Sequence, residues 1–185
     1  MCRRLQVLLA GLAVLALSPS LYAQSSAGQP ATPLASCRPS HTLDELVIAL
    51  DDAVSGPVDK DRSCLRQLLL SDARMIPVAV SSDGKSVPHV LAVEDWITRV
   101  KAIKDRNAFY ERQVKVVQES YGHIAHLWST YEISDTPGGK ATIRGINSIQ
   151  AVFTGSEWKV AEILWQQETP AEPIPPRYLS SSSVP

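Results

Sequence analysis

The chain has 185 residues, 44% of them hydrophobic, with 18 basic and 19 acidic side chains and a formal net charge of −1. That length suits one domain with one core. A near-neutral chain lacks the basic face that a nucleic-acid partner requires, and no polybasic run is present to meet an anionic membrane.

The first 23 residues read as a secretory signal rather than as fold. Arg3 and Arg4 precede an apolar run from Leu5 to Leu17 that is too short to span a bilayer comfortably. Ser18-Pro19-Ser20 breaks the run, and Ala23 offers a small residue at the cut. The expectation is an exported protein, periplasmic or secreted, with no membrane segment after cleavage. Leu34-Ala35-Ser36-Cys37 has the letters of a lipoprotein cleavage box, but a Gln/Ser/Pro/Ala spacer separates it from the apolar run, so lipidation is not expected. Cys2 leaves with the signal. Cys37 and Cys64 remain and are candidates for a disulfide in an oxidising compartment, the alternative being two unpaired small apolar side chains.

Residues 24–40, rich in Ser, Ala, Pro and Gln, read as a disordered linker. The domain is expected over 41–179, with a loose tail at 180–185. Thr42 and Glu45 have the spacing of a capping box. Leu43, Leu46, Val47, Leu50 and Val54 then recur at helical spacing until Gly56-Pro57 stops the helix. A second helix is expected from Asp61 through Leu65, Leu68 and Leu69, ending at Ser71-Asp72. Ala73–Ser81 reads as a strand whose Pro77 argues for an edge position, and Asp83-Gly84 as a hairpin turn into a short partner at 85–90. A third helix over Glu94–Lys104 carries Trp96, Ile97, Val100 and Ile103 on one side.

From Asn107 to Thr169 four long strands are joined at Tyr121-Gly122, Pro137-Gly138-Gly139 and Gly155-Ser156. The fold class is α+β: a strongly curved antiparallel meander packed against three N-terminal helices to make a cone with a pocket. Strands send alternate residues to opposite faces. With Tyr121-Gly122 as a two-residue turn, one face collects Tyr110, Arg112, Leu127, Tyr131, Asn147, Val160 and Glu162. The other collects Glu111, Gln113, Ile124, His126, Trp128, Glu132, Ile163 and Trp165. The first face is the more apolar and is expected to meet the helices, so Tyr110, Arg112, Tyr131 and Asn147 are the candidate pocket-lining polar groups, with Glu162 the candidate catalytic acid or base. The large apolar residues of the second face suggest a homodimer contact or a seat for the Pro-rich C-terminal tail.

The segments Phe109-Tyr110-Glu111-Arg112, Gly122-His123-Ile124-Ala125-His126, Ser129-Thr130-Tyr131-Glu132, Arg144-Gly145-Ile146-Asn147-Ser148-Ile149-Gln150 and Pro175-Pro176-Arg177-Tyr178-Leu179, in this order of elements, resemble an exported bacterial branch of the nuclear transport factor 2-like superfamily (SnoaL-like). The resemblance covers about Thr42 to Leu179. It implies a cone-shaped pocket and a range of activities: isomerases, cyclases, dehydratases and non-catalytic binding modules. A ketosteroid isomerase of that superfamily needs a carboxylate base with a tyrosine and a protonated carboxyl as oxyanion donors. Here the first helix has no tyrosine, although Asp72 lies in a region broadly similar to that of the isomerase's base. The cyclase and dehydratase relatives use an Asp/His pair in the pocket, whereas His126 falls on the opposite face in this register.

His123 and His126 are three apart on a strand and point to opposite faces, so no metal site is expected. There is no nucleophile elbow and no phosphate-cradling glycine loop, and no cofactor is expected. The functional expectation is an exported protein that binds a small apolar molecule. Its catalytic form would be a cofactor-independent isomerase, cyclase or dehydratase, and the alternative is a non-catalytic binding or dimerisation module. Trp128, Trp158 and Trp165 are expected to serve packing more than stacking on a ligand.

Overall fold

The computed structural model describes residues 36–81 and 83–179, and the expected signal sequence, residues 24–35 and the tail 180–185 lie outside them. The first helix, α1 (Leu43–Val54), begins at Thr42, whose side chain accepts from Glu45 N while Glu45 reaches back to Thr42 N. Its apolar stripe is buried at Leu46, Val47, Leu50 and Val54. Each large side chain among these removes enough apolar area from water to stabilise by about 1.5–3 kcal/mol. The C-terminal carbonyls of α1 are met from the loop that follows: Lys60 Nζ donates to Ser55 O (2.9 Å), and Arg62 donates to Ala53 O (3.3 Å). Two cations thus sit at the negative end of the helix.

After the short β1 (Gly56–Pro57), α2 spans Ser63–Leu68 and the chain turns extended at once into β2 (Leu69–Val80). The second helix is therefore shorter than expected, and residues 69–72 belong to the strand. β3 (Ser86–Pro88) returns antiparallel beside β2, and Gly84 supplies the positive φ (78°) of the turn between them. β4 (Leu91–Ala92) pairs with β2 further back and leads into α3 (Val93–Lys101), whose N-terminus is held by Ala92 N donating to Asp95 (3.3 Å). The meander follows as β5 (Ala108–Tyr121), β6 (Ile124–Ser134), β7 (Ile143–Phe153) and β8 (Trp158–Gln167).

The strand order is β1-β5-β6-β7-β8-β2-β3, with β4 also on β2, making a curved, unclosed, mostly antiparallel sheet. β2 lies parallel to β8. Pro77 is thus not on an edge. It occupies the gap between two short partners, β3 at 78–80 and β4 at 74–75, where a missing N–H costs little. α1, α2 and α3 cover the concave face, and Leu46, Leu50, Leu65, Ile97, Leu127, Ile149, Val160 and Ile163 share one core cluster there.

The end of the expected linker is pinned. Cys37 and Cys64 form a disulfide that ties the entry of the domain to α2. Closing a loop with a sequence separation of 27 stabilises by about 3–4 kcal/mol through chain entropy. Ser40 is buried and pairs with β8, accepting from Trp158 N (2.7 Å) and donating to Trp158 O (3.0 Å). Residues 36–40 are therefore part of the domain. At the other end the tail crosses the outer sheet face: Thr130 donates to Tyr178 O, Tyr178 packs against Trp128 (5.6 Å between rings), and Ile174 is buried. Pro176–Tyr178 forms a short 3-10 turn.

Candidate functional site

Two β-bulges decide which side chains face the helices. The β5–β6 hairpin turns at Gly122-His123, with Tyr121 opposite Ile124. This differs from the expected turn by a register that keeps every residue on its face, and Gly122 takes the positive φ (56°). Between Gln113 and Lys115 the register shifts by one, so that Val114 is extra on β5. Beyond that bulge the alternation inverts. Glu111 and Gln113 point inward, and Tyr110 and Arg112 point outward. A second shift leaves Ala161 extra on β8, where Gln150 pairs with Glu162 but Ala151 with Val160. Ile163 and Trp165 therefore face inward and Glu162 outward.

Three of the five candidate residues are thus misplaced by sequence reasoning. Arg112 pairs with Glu132 on the outer face (2.7 Å), and Glu162 pairs there with Arg74 on β2 (2.5 Å). Tyr110 lies on the same outer side, opposite Ser134. None of the three lines the cavity, and Arg112 and Glu162 are not neighbours. β6 and β7 pair without a register shift, and their two candidates, Tyr131 and Asn147, do line it. Ile163 and Trp165, expected on the outer face, form part of its wall.

The cavity has a volume of about 230 Å³ and opens between the helices and the sheet. Its walls are mostly apolar: Leu50 and Val54 from α1, Trp96 and Val100 from α3, and Phe109, Ile149 and Trp165 from the sheet. The polar groups converge from three elements. Glu111 Oε1 accepts from Gln113 Nε2 (3.0 Å) and from Asn147 Nδ2 (3.1 Å). Asp51 of α1 takes the remaining Gln113 donors, the side-chain Nε2 at 2.8 Å and the backbone N–H at 2.9 Å. Ser129 completes the network by donating to Gln113 Oε1. Two carboxyl groups therefore share one amide, and among the described residues no cation pairs with either.

Their environment favours the neutral acid. Burial, aided by the neighbouring Asp51 charge, pushes the Glu111 carboxyl up from 4.5 to about 7, and its amide donors oppose this only in part. Burial likewise pushes Asp51 up from 3.8 to about 6, against the Gln113 hydrogen bonds. Burial and the Glu111 charge raise the Tyr131 phenol above its usual range, so it remains protonated. Tyr131 lies across Gly145, where a Cβ would stand 2.4 Å from the phenol oxygen. Glycine there makes room for the ring.

Arg106 also lines the cavity, and its charge is met by Asp135 (3.1 Å). Arg62 is buried behind the wall, 5.4 Å from the Trp96 ring centre and 5.7 Å from that of Phe109. It braces both aromatic side chains while holding the end of α1. Among the described residues, Arg62 Nε and Trp128 Nε1 are the buried side-chain nitrogens or oxygens without a hydrogen-bond partner. No group of three or more His, Cys, Asp and Glu among the described residues could hold a metal ion. His126 is on the outer face, bonded to Ser148 (3.1 Å).

Asp51, Glu111 and Gln113 were missed from the sequence. Asp51 did carry a signal: it stands four residues after Val47 and three before Val54, an acidic side chain at the spacing of the apolar stripe of α1. Glu111 and Gln113 carried none without knowledge of the bulge.

No family model matches the sequence, and no curated protein matches it. Solved structures do. A Kribbella flavida protein superposes with a TM-score of 0.51 at 14% identity, covering 69% of this chain and 88% of its own. A Novosphingobium aromaticivorans chain described as the beta subunit of an aromatic-ring-hydroxylating dioxygenase gives 0.51 at 15% identity, over 69% of this chain and 87% of its own. An NTF-2 like protein of Silicibacter pomeroyi gives 0.46 at 16% identity, over 68% and 92%. At these identities the likeness concerns the fold and not the chemistry. Three helices laid on a curved, unclosed sheet of eight strands, in this order, give the chain an α+β fold that it shares with the Kribbella and Novosphingobium chains.

Proposed function

We propose that this is an exported protein that binds a small, largely apolar molecule in the cone and that Glu111 transfers a proton to or from it. The observation that carries the reading is a carboxyl group lining an apolar cavity, without a cationic partner, whose pKa is pushed to about 7. A group poised near neutrality serves equally as acid and base. Gln113 and Asn147 fix one carboxyl oxygen and so orient the other. Tyr131, held protonated, is the donor available to stabilise charge that develops on the bound molecule. Asn147 is not such a donor, because its amide N–H groups turn to Glu111 and Gln113 Oε1. An isomerase, cyclase or dehydratase working without a cofactor would use this arrangement. The disulfide supports export, since such bonds persist in oxidising compartments.

The test is incorporation of carbon-bound deuterium, α to the carbonyl, into small apolar ketones in heavy water, followed by NMR. Incorporation should fall about a hundredfold or more in Glu111→Gln. It should persist in Glu162→Gln, whose side chain lies outside the cavity. Incorporation indifferent to Glu111→Gln, or absent for every compound that binds, contradicts the reading.

A second reading rests on the outer face, where Val117, Tyr121 and Ile124 are exposed, Ile124 at 61%. Large apolar side chains gathered on one sheet face suit contact with a second copy. Light scattering of wild type and Ile124→Lys tests it: a dimer lost in the variant supports assembly, and a wild-type monomer at high concentration rejects it.

A further inference from the structure

The polar end of the cavity has hydrogen-bonding capacity left over, and its sign is informative. Among the described residues, Glu111 Oε2, Asn147 Oδ1 and the Tyr131 hydroxyl have no hydrogen-bond partner. None of the three is among the buried unpartnered atoms, so each has accessible surface, and all three residues line the cavity. When Glu111 is ionised its oxygens only accept, so Asn147 turns its Nδ2 toward Glu111. Its carbonyl oxygen is then the atom left over. At Glu111, Asn147 and Tyr131 the free atoms are therefore two acceptors and one hydroxyl that serves either way, while Trp96, Trp165 and Arg106 bring N–H donors to other parts of the cavity lining. The amide donors that could have met an acceptor are turned inward, Gln113 Nε2 to Asp51 and Glu111, and Asn147 Nδ2 to Glu111 and, at 3.5 Å, to Gln113 Oε1.

We propose that the molecule bound in the cone is an amphiphilic amine, its ammonium group seated between the Glu111 carboxylate, the Asn147 carbonyl and the Tyr131 hydroxyl, its apolar body lying against Trp165 and Ile149. This deepens the binding reading above and rests on it. An ammonium group supplies donors to every free acceptor and the cation that the two carboxylates lack. A carboxylate or phosphate head would meet like charge from Glu111 and Asp51. A neutral alcohol would bond but leave the ionised carboxylate unpaired. Of the charged or titratable groups around the cavity, Asp51 on α1 acts on Glu111, and Tyr131 on β6, Arg106 just before β5 and Arg62 behind Phe109 are the others. Arg106 is neutralised by Asp135, and Arg62 lies against the aromatic wall, so neither takes the place of a bound cation.

Three probes with one apolar body separate the cases: 2-phenylethylamine, 2-phenylethanol and phenylacetate. Binding is read by the fluorescence of Trp96 and Trp165 and by NMR line broadening of each probe. Near pH 8 the amine should bind about tenfold or more tighter than the alcohol, and the carboxylate should not bind, as expected for hydrogen bonds to a charged group. The amine's affinity should fall as the pH drops from 8 to 5 and Glu111 takes up its proton, while the alcohol's stays flat. That profile needs no variant. Glu111→Gln should remove the amine's advantage and its pH dependence together. An alcohol that binds as well as the amine overturns the amine assignment and leaves the binding reading standing. If none of the three binds, both fall. An amine affinity unchanged in folded Glu111→Gln overturns the assignment as well.

Discussion

The carboxylates inside the cone and those on the outer sheet face are the same chemical groups in opposite circumstances. Outside, Glu132 pairs with Arg112, Glu162 with Arg74 and Glu168 with Arg144, each across neighbouring chain segments at the surface. Arg144 and the Ile174 backbone N–H hold Glu168 below the usual carboxylate range. Inside, Glu111 and Asp51 take their side-chain hydrogen bonds from amides, and burial drives both upward. An ion pair on a sheet exterior fixes geometry at little energetic cost or gain. An unpaired acid in an apolar cavity stores free energy that a ligand or a proton can release.

The largest expected effect is in Glu111→Gln. A carboxyl whose folded pKa exceeds its unfolded value keeps its proton longer when folded, so stability falls as the pH rises from 4.5 to about 7. At about 1.4 kcal/mol for each tenfold in proton affinity, the loss above that window is about 3 kcal/mol. Glutamine retains an acceptor for Gln113 and Asn147 and carries no charge. Urea unfolding should therefore find Glu111→Gln more stable than wild type near pH 8 by about that amount, with the difference vanishing near pH 4. A variant equal to or weaker than wild type near pH 8 breaks the contrast between the two faces.

Next in size is Gly145→Ala. Its Cβ would stand 2.4 Å from the Tyr131 hydroxyl and from Gln166 O, and overpacking of this kind costs about 1–3 kcal/mol. Thermal unfolding should show the loss, and tyrosine NMR should show the Tyr131 ring displaced from Glu111. The smallest effects belong to the outer face. Glu168→Gln should cost about 1 kcal/mol or less, through the surface pair with Arg144. Its sign is opposite to that of Glu111: the depressed Glu168 pKa stabilises above the unfolded value of about 4.5 and is lost as the pH falls through the folded one. Arg112→Ala should change stability by less than about 1 kcal/mol and leave ligand binding in the cone unaltered, which a titration with the same probes checks.

What the sequence revealed follows from where the strands are regular. Capping residues and apolar periodicity marked α1 and α3, and the glycine turns marked the meander. Tyr131 and Asn147 were legible because β6 and β7 pair without interruption, so alternation counted from the turns held. Glu111 and Glu162 exchanged roles because one extra residue in β5 and one in β8 invert everything beyond them. Neither bulge has a signature residue. Val114 is an ordinary strand former, and adjacent Val116 and Val117 fit either phase. Ala161 precedes Ile163-Leu164-Trp165, a run apolar on both faces that conceals the shift. Polar position on one face is a long-range property, whereas alternation is local and accumulates error at each irregularity.

The most direct measurement is the titration of the Glu111 side-chain carboxyl carbon by NMR in protein carrying carbon-13 glutamate, with Glu111→Gln supplying the assignment. A midpoint of about 7, moved downward when 2-phenylethylamine is bound, is the predicted result. A midpoint near 4.5, indistinguishable from that of an exposed glutamate, would mean that Glu111 is solvated or paired and that the cone holds no poised acid.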